Sequence, residues 1–184
     1  MLYLFATDEY ALVEKAIRKL VDSLLEVKTP FNYVRYDFRE VTFTTIIEDA
    51  LTYGFDSDVR VFIVDQTSIV TTSNDKTVNK DITEAEINVL GTLSADVHII
   101  FIARSSKVNR KNALFKFIEK NGKINIEQDV DEKDWRTFVY TFFDRRNIPL
   151  DSDAAQEIIN RVRDLGSFLN EADKLALYGE RVTL

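Results

Sequence analysis

The order in which apolar runs and helical stripes follow one another constrains this 184-residue chain more than any other feature. Residues 2–6 (LYLFA) form a short apolar run. Past Thr7-Asp8-Glu9, apolar residues recur at Val13, Ala16, Ile17, Leu20, Val21 and Leu24, a spacing that puts them on one helical face. The unit then repeats. Residues 31–36 read as a strand, Thr42 to Tyr53 as a helix carrying Ile46, Ile47, Ala50 and Leu51, and residues 59–64 (VRVFIV) as a strand closed by Asp65. Thr83 and Glu86 form a capping box ahead of a short helix. Residues 97–103 (VHIIFIA) are the most continuous apolar run, Lys107 to Glu119 a further helix, and residues 123–126 a last strand. Apolar strands alternating with amphipathic helices predict an α/β fold, with a mostly parallel sheet, helices on both faces and right-handed crossovers.

After Gln128 the pattern is helical only. Asp131 reads as the cap of a helix with Trp135, Phe138, Val139, Phe142 and Phe143 on one stripe, which must be buried. Pro149 and Asp151 start a second helix with Ile158, Ile159, Val162 and Leu165 inward. Gly166 ends it, Ser167 caps a third and Gly179 ends that one. The chain thus divides into an α/β domain at 1–128 and a three-helix domain at 129–184.

Composition narrows the chemistry. Hydrophobic residues at 45% can fill a core, and 5 Gly with 2 Pro leave room only for short connections. The absence of Cys excludes disulfides, thiolate zinc sites and a cysteine nucleophile, and His98 alone excludes a multi-histidine metal site. The N-terminus lacks a basic n-region, and no stretch reaches the ~18 apolar residues of a membrane span. A cytoplasmic protein without a membrane association is expected. The net charge of −7 disfavours direct DNA binding unless the basic residues gather on one face. Arg104, Lys107, Arg110, Lys111 and Lys116 form the most basic stretch, ordinarily a solvated helix face.

The first strand-to-helix turn is where an α/β protein cradles phosphate, using glycine amides, a lysine and a hydroxyl. Here Phe5 to Tyr10 offers no Gly or Lys and carries two acids, which argues against nucleotide hydrolysis. Asp8 and Glu9 after strand one and Asp65 after strand three all fall at the carboxyl edge of the sheet, where converging carboxylates could hold Mg²⁺ as in a phosphoacceptor receiver domain. The pattern lacks the lysine such a domain needs after its last strand, which instead runs into Glu127-Gln128-Asp129. Asp8 and Glu9 also suit a helix first turn, with Thr7 as its cap. Thr52-Tyr53-Gly54-Phe55-Asp56 ends an amphipathic helix with an aromatic at its tip. Phe55 either folds back over Gly54 as a C-cap contact or points outward as an anchor for a partner's pocket.

In their order these segments resemble the delta subunit of the bacterial DNA polymerase III clamp loader. Asp8-Glu9-Tyr10-Ala11-Leu12 is similar to that family's glycine-acidic-tyrosine-leucine start, with Ala6-Thr7 replacing the glycine. Gly54-Phe55 followed by strand 59–64 is similar to its clamp-contact region, and Lys107-Val108-Asn109-Arg110-Lys111 to the helix start after its central strand. Gly166 to Tyr178, with Asn170-Glu171 and Lys174-Leu175, resembles its closing helix most clearly. The resemblance implies an AAA+-like domain without a working Walker A, followed by a helical lid. It also implies a third, collar domain that this chain does not include, so a fragment of a longer protein is expected. The implied role is mechanical: binding and opening the ring-shaped sliding clamp (beta) within the polymerase III holoenzyme, without intrinsic catalysis, metal or cofactor. The other partners would be the delta-prime and gamma/tau subunits, with DNA met only indirectly. Phe55, with Tyr53 and Gly54, would be the clamp-binding element, and Gly54 stands where the family carries a larger apolar residue. Another loader subunit without ATPase activity would often need a zinc module, which a Cys-free chain cannot build. A generic interaction domain and the Mg²⁺-dependent phosphotransfer domain on Asp8, Glu9 and Asp65 are the other readings.

Overall fold

Alternate side chains of each strand face opposite sides of a sheet, and residues 2–6, 61–64 and 99–103 of this chain are buried and mostly apolar on both. The computed structural model describes residues 1–52, 59–72, 82–127, 134–162, 165–178 and 182–183. It contains β1 (Leu2–Thr7), α1 (Tyr10–Leu24), β2 (Tyr33–Asp37), α2 (Phe43–Leu51), β3 (Arg60–Asp65), α3 (Glu84–Val89), β4 (Val97–Ala103), α4 (Ala113–Asn121) and β5 (Gly122–Glu127). These are followed by α5 (Trp135–Asp144), α6 (Ser152–Arg161) and α7 (Leu165–Tyr178). The chain separates into two units, Met1–Asp8 with Val13–Gln128, and Glu9–Leu12 with Asp129–Leu184.

In the first unit the strands form one sheet in the order β2-β3-β4-β1-β5, with every pair parallel. Leu2, Leu4, Phe62, Val64, Ile99 and Phe101 share one face, where they pack with buried residues of α2, α3 and α4. The β1-to-β2 crossover runs the opposite way along the sheet from those that follow it, so right-handedness sends α1 to the other face. There Val13, Ile17, Val21 and Leu25 are buried at four-residue intervals. One helix cannot cover five strands. The central strands β1, β3 and β4 therefore put Phe5, Ile63 and Ile100 on this face, while the outer strands carry Arg35 and Asp37 on β2 and Lys123 and Asn125 on β5.

Three element ends differ from the sequence reading. Thr7 is the buried last residue of β1, paired with Glu127, and lies three residues ahead of the first residue of α1. The helix starts at Tyr10, and the Glu9 carboxylate accepts the Ala11 amide at 3.3 Å. Helix α4 starts at Ala113 and not at Lys107. The Asn112 side chain accepts the Phe115 amide at 3.1 Å and donates to Ile69 O at 3.1 Å, which fixes the helix start. Gly166 and Ser167 lie inside the first turn of α7. Leu165 and Phe168 are both needed in one core, and a glycine weakens a helix least where the amides have no intrahelical acceptor. The Thr83–Glu86 capping box forms as read. Asp131, Asp164 and Gly179 lie outside the described residues.

In the second unit, α5 to α7 bury the expected aromatic stripe. Phe168 is fully buried and meets the rings of Trp135, Phe138, Phe142 and Phe143 at centroid distances of 5.3, 5.6, 5.0 and 6.3 Å, all edge-on. No helix among the described residues is long and apolar enough to cross a membrane.

Candidate functional site

Tyr53, Gly54 and Phe55 lie outside the described residues; the two elements they join are described. Helix α2 is capped by Thr42, whose Oγ1 accepts the Thr45 amide at 3.1 Å, and it buries Phe43, Ile46, Ile47 and Ala50. Its last turn leaves carbonyls without intrahelical donors. The Thr52 amide donates to Glu48 O and Asp49 O, and Arg60, the first residue of β3, adds donors to Asp49 O and Ala50 O. Its side chain is buried, with Nη1 donating to Asp49 O at 3.0 Å and Nη2 to Ala50 O at 2.7 Å. A cation at a helix C-terminus is favoured by the dipole as well, and the guanidinium lies 5.4 Å from the Phe62 ring centre. Tyr36 on β2 donates its hydroxyl to the Asp49 carboxylate, and burial together with that carboxylate pushes the Tyr36 phenol well up. Helix end and strand start are thus clamped together. The sequence reading missed Arg60. Its signal was an arginine in the run VRVFIV, since a strand buries a cation only where acceptors await it.

At the carboxyl edge of the sheet the three acids named from the sequence do not assemble. No cluster of three or more His, Cys, Asp or Glu fit for a metal occurs among the described residues. Asp65 is buried, and its countercharge is arginine. Arg104 donates to Oδ1 at 2.9 Å and to Oδ2 at 2.6 Å, Arg35 donates to Oδ2 at 2.5 Å, and the Gln66 amide donates to Oδ1 at 2.8 Å. Gln66 takes a left-handed φ of 59°, the conformation in which that amide faces the carboxylate. Burial opposes the Asp65 charge, but the hydrogen bonds from Arg104, Arg35 and Gln66 outweigh it and hold the carboxyl below its ordinary value. Asp8 is engaged separately, accepting from the Ser106 amide at 3.2 Å and from the Ser106 hydroxyl. Burial works against its charge too, yet bonds from Ser106 and Ser105 and the nearby Lys107 keep the Asp8 carboxyl low. A Mg²⁺ ion needs carboxylates with free lone pairs, and two guanidinium groups at Asp65 already supply the positive charge. The arrangement ties the ends of β2, β3 and β4 together, and it corrects the receiver-like reading.

An acid-side consequence follows with a definite sign. Asp65 binds its proton less readily folded than unfolded, so its contribution is full above the ordinary carboxylate pKa of 3.8 and is lost as pH falls through the lower folded value. Asp65→Asn should destabilise the chain by about 1–3 kcal/mol at pH 7, less than a fully buried pair because Arg35 and Arg104 keep water contact. Urea titrations at pH 7 and pH 3 should show the difference shrinking at the lower pH.

Comparison with known proteins gives the site its setting. A family model described as DNA polymerase III, delta subunit, matches residues 3–128. Among solved structures, the Bacillus subtilis DNA clamp loader delta protein (YqeN) superposes with a TM-score of 0.76 at 19% identity, covering 99% of this chain and 55% of that one. The chain therefore spans about half the length of that structure. AMPPCP-bound DnaA from Aquifex aeolicus is more distant, with a TM-score of 0.44 at 10% identity over 97% of this chain and 56% of that one. No curated protein sequence matches. The α/β architecture read from the sequence is thus the architecture of a clamp-loader delta protein, and the family match covers the parallel sheet together with the Arg60 clamp at the end of α2. The chain belongs to the DNA polymerase III delta subunit family.

Proposed function

We propose that this chain binds a ring-shaped sliding clamp and helps to open it during DNA replication, in the cytoplasm, while other subunits hydrolyse ATP. The observation that carries the reading is the family match over residues 3–128, which contains the stretch from Tyr53 to Phe55. Phe55 is the anchor, an aromatic desolvated in an apolar pocket of the ring, with Tyr53 and Gly54 beside it. The Arg60 clamp supports this assignment, because a contact residue binds with less ordering cost when the elements before and after it in the chain are held together. The turn from Thr7 to Tyr10, with carboxylates in place of glycine amides and lysine, supports a role without nucleotide hydrolysis. Residues 1–128 are the clamp-facing domain and 129–184 the lid. In a longer form carrying a collar domain, the delta-prime and gamma/tau subunits would be the neighbours.

The test is a titration of this chain and of Phe55→Ala against a purified bacterial sliding clamp. Truncating an aromatic hot spot costs about 2 kcal/mol or more, so the variant should bind at least ~30-fold more weakly, with unchanged circular dichroism and melting. A variant that loses fold and binding together would assign Phe55 to the core. A folded parent that binds no clamp, including one from its own source, would remove the reading.

A further inference from the structure

Charge is distributed unevenly in this acidic chain. Residues 104–123 hold seven Lys and Arg against one acid, Glu119, in a protein of net charge −7. The fold decides which of these cations act together. Lys123 is on β5 in register with Tyr3, so it belongs to the sheet face that carries α1. Lys116 and Lys120 are one turn apart on the exposed side of α4, about 6 Å along its axis. With Lys111 they line an open groove of about 450 Å³ between α4 and α3. Phe117 lines the groove too, and Glu84 and Asn88 of α3 form the opposite wall; Glu119 is not part of it. None of the three lysines has a carboxylate within ion-pair distance among the described residues. By contrast Arg104 is spent on Asp65.

Lysines that have no ion-pair partner among the described residues, gathered on one helix face of an otherwise acidic protein, repel one another and gain most from a polyanion that can meet several at once. We infer that the Lys111–Lys116–Lys120 face of the α3–α4 groove is a contact site for the phosphate backbone of duplex DNA. The net charge of the chain would on its own disfavour such contact, and the clustering of these lysines removes that objection locally. Lysine, a flexible point charge, suits sequence-independent phosphate contact better than base readout. The choice of DNA as the polyanion rests on the loader reading; the lysine face does not, and it would give this chain a direct hold on DNA beyond its hold on the clamp.

The experiment is a binding titration of the chain with a fluorescent 25-base-pair duplex of mixed sequence, repeated from low to moderate salt. Three phosphate contacts predict that log K falls with log salt at a slope of about −2.7. Lys111→Gln/Lys116→Gln/Lys120→Gln should weaken binding at least tenfold at low salt and flatten the slope. Lys123→Gln, on the other sheet face, should change neither, and all variants should keep the parent's circular dichroism. Failure of the folded parent to bind the duplex at low salt, or a triple variant with the parent's affinity and slope, would overturn the site. Equal binding of poly-L-glutamate and duplex at matched charge would also overturn it, in favour of an acidic protein partner. Clamp binding by the triple variant is measured alongside: it should be unchanged, so failure of the DNA site and failure of the clamp reading remain distinguishable.

Discussion

Phe168→Ala is expected to unfold the second unit. Phe168 has no exposed surface and sits edge-on to four other rings, Trp135, Phe138, Phe142 and Phe143. Truncating a buried Phe costs about 3–5 kcal/mol through lost transfer energy and the cavity left behind. Edge-to-face ring pairs add to that loss. A helical unit of this size has little stability in reserve, so a cost in that range removes most or all of it. Trp135 is the chain's single tryptophan and packs 5.3 Å from Phe168, so its fluorescence reports this unit alone. A urea titration should show the Trp135 transition displaced to much lower denaturant or already complete in buffer. Phe168→Leu, which keeps most of the volume, should recover much of the loss. A Phe168→Ala variant with a shift under ~1 kcal/mol would mean that the five rings do not form one packed core.

Arg60→Met is expected to be the most damaging single change at the α2–β3 junction. Methionine preserves the apolar stem but removes the guanidinium donors from Ala50 O and from Asp49 O, the second of which keeps the Thr52 amide at 3.1 Å. Each unsatisfied buried carbonyl costs roughly 1–3 kcal/mol. Lysine at this position should restore only part of the stability, because one ammonium cannot reproduce the two fixed N–H directions of the guanidinium. Denaturation followed by far-ultraviolet circular dichroism measures the stability, and hydrogen exchange of the last turn of α2 locates the change. On the proposed function, Arg60→Met should also weaken clamp binding in the fraction that remains folded. An Arg60→Lys variant as stable as the parent would show that charge, and not the forked geometry, is what the helix end requires.

Much of the first unit was legible because burial on both faces leaves a strong one-dimensional mark. A strand covered on two sides must be apolar at successive positions, and residues 2–6, 59–64 and 97–103 are. Helix stripes were legible for the same reason, and so was the core role of Trp135, Phe138, Phe142 and Phe143. Helix starts were less so. Thr7, Lys107 and Ser167 each carry a residue type or charge that suits a helix start, yet the helices begin at Tyr10, Ala113 and Leu165. A cap is settled by what lies beside it, as Ile69 O beside Asn112 shows.

The candidate site divides along the same line. The departure from a phosphate-cradling turn at Thr7 to Tyr10 and the aromatic at position 55 are matters of residue type and order, and residue order alone sufficed to name them. The partners of Asp65 are not. Arg35 and Arg104 lie thirty and thirty-nine residues away, and only the placing of β2 and β4 on either side of β3 brings them to one carboxylate. A count of acids at strand ends therefore suggested a metal site where the fold builds an ion-pair tie. Lys111 and Lys116 were visible within the basic stretch and Lys120 was not read with them, because which of seven cations share a surface depends on which sheet face each element covers. Sequence by itself determined the alternation of elements and hence the fold class, since periodicity is local and hydrophobic burial is nearly additive along the chain. The tertiary structure alone decided which charges meet, because electrostatic pairing depends on distances in space that strand order sets.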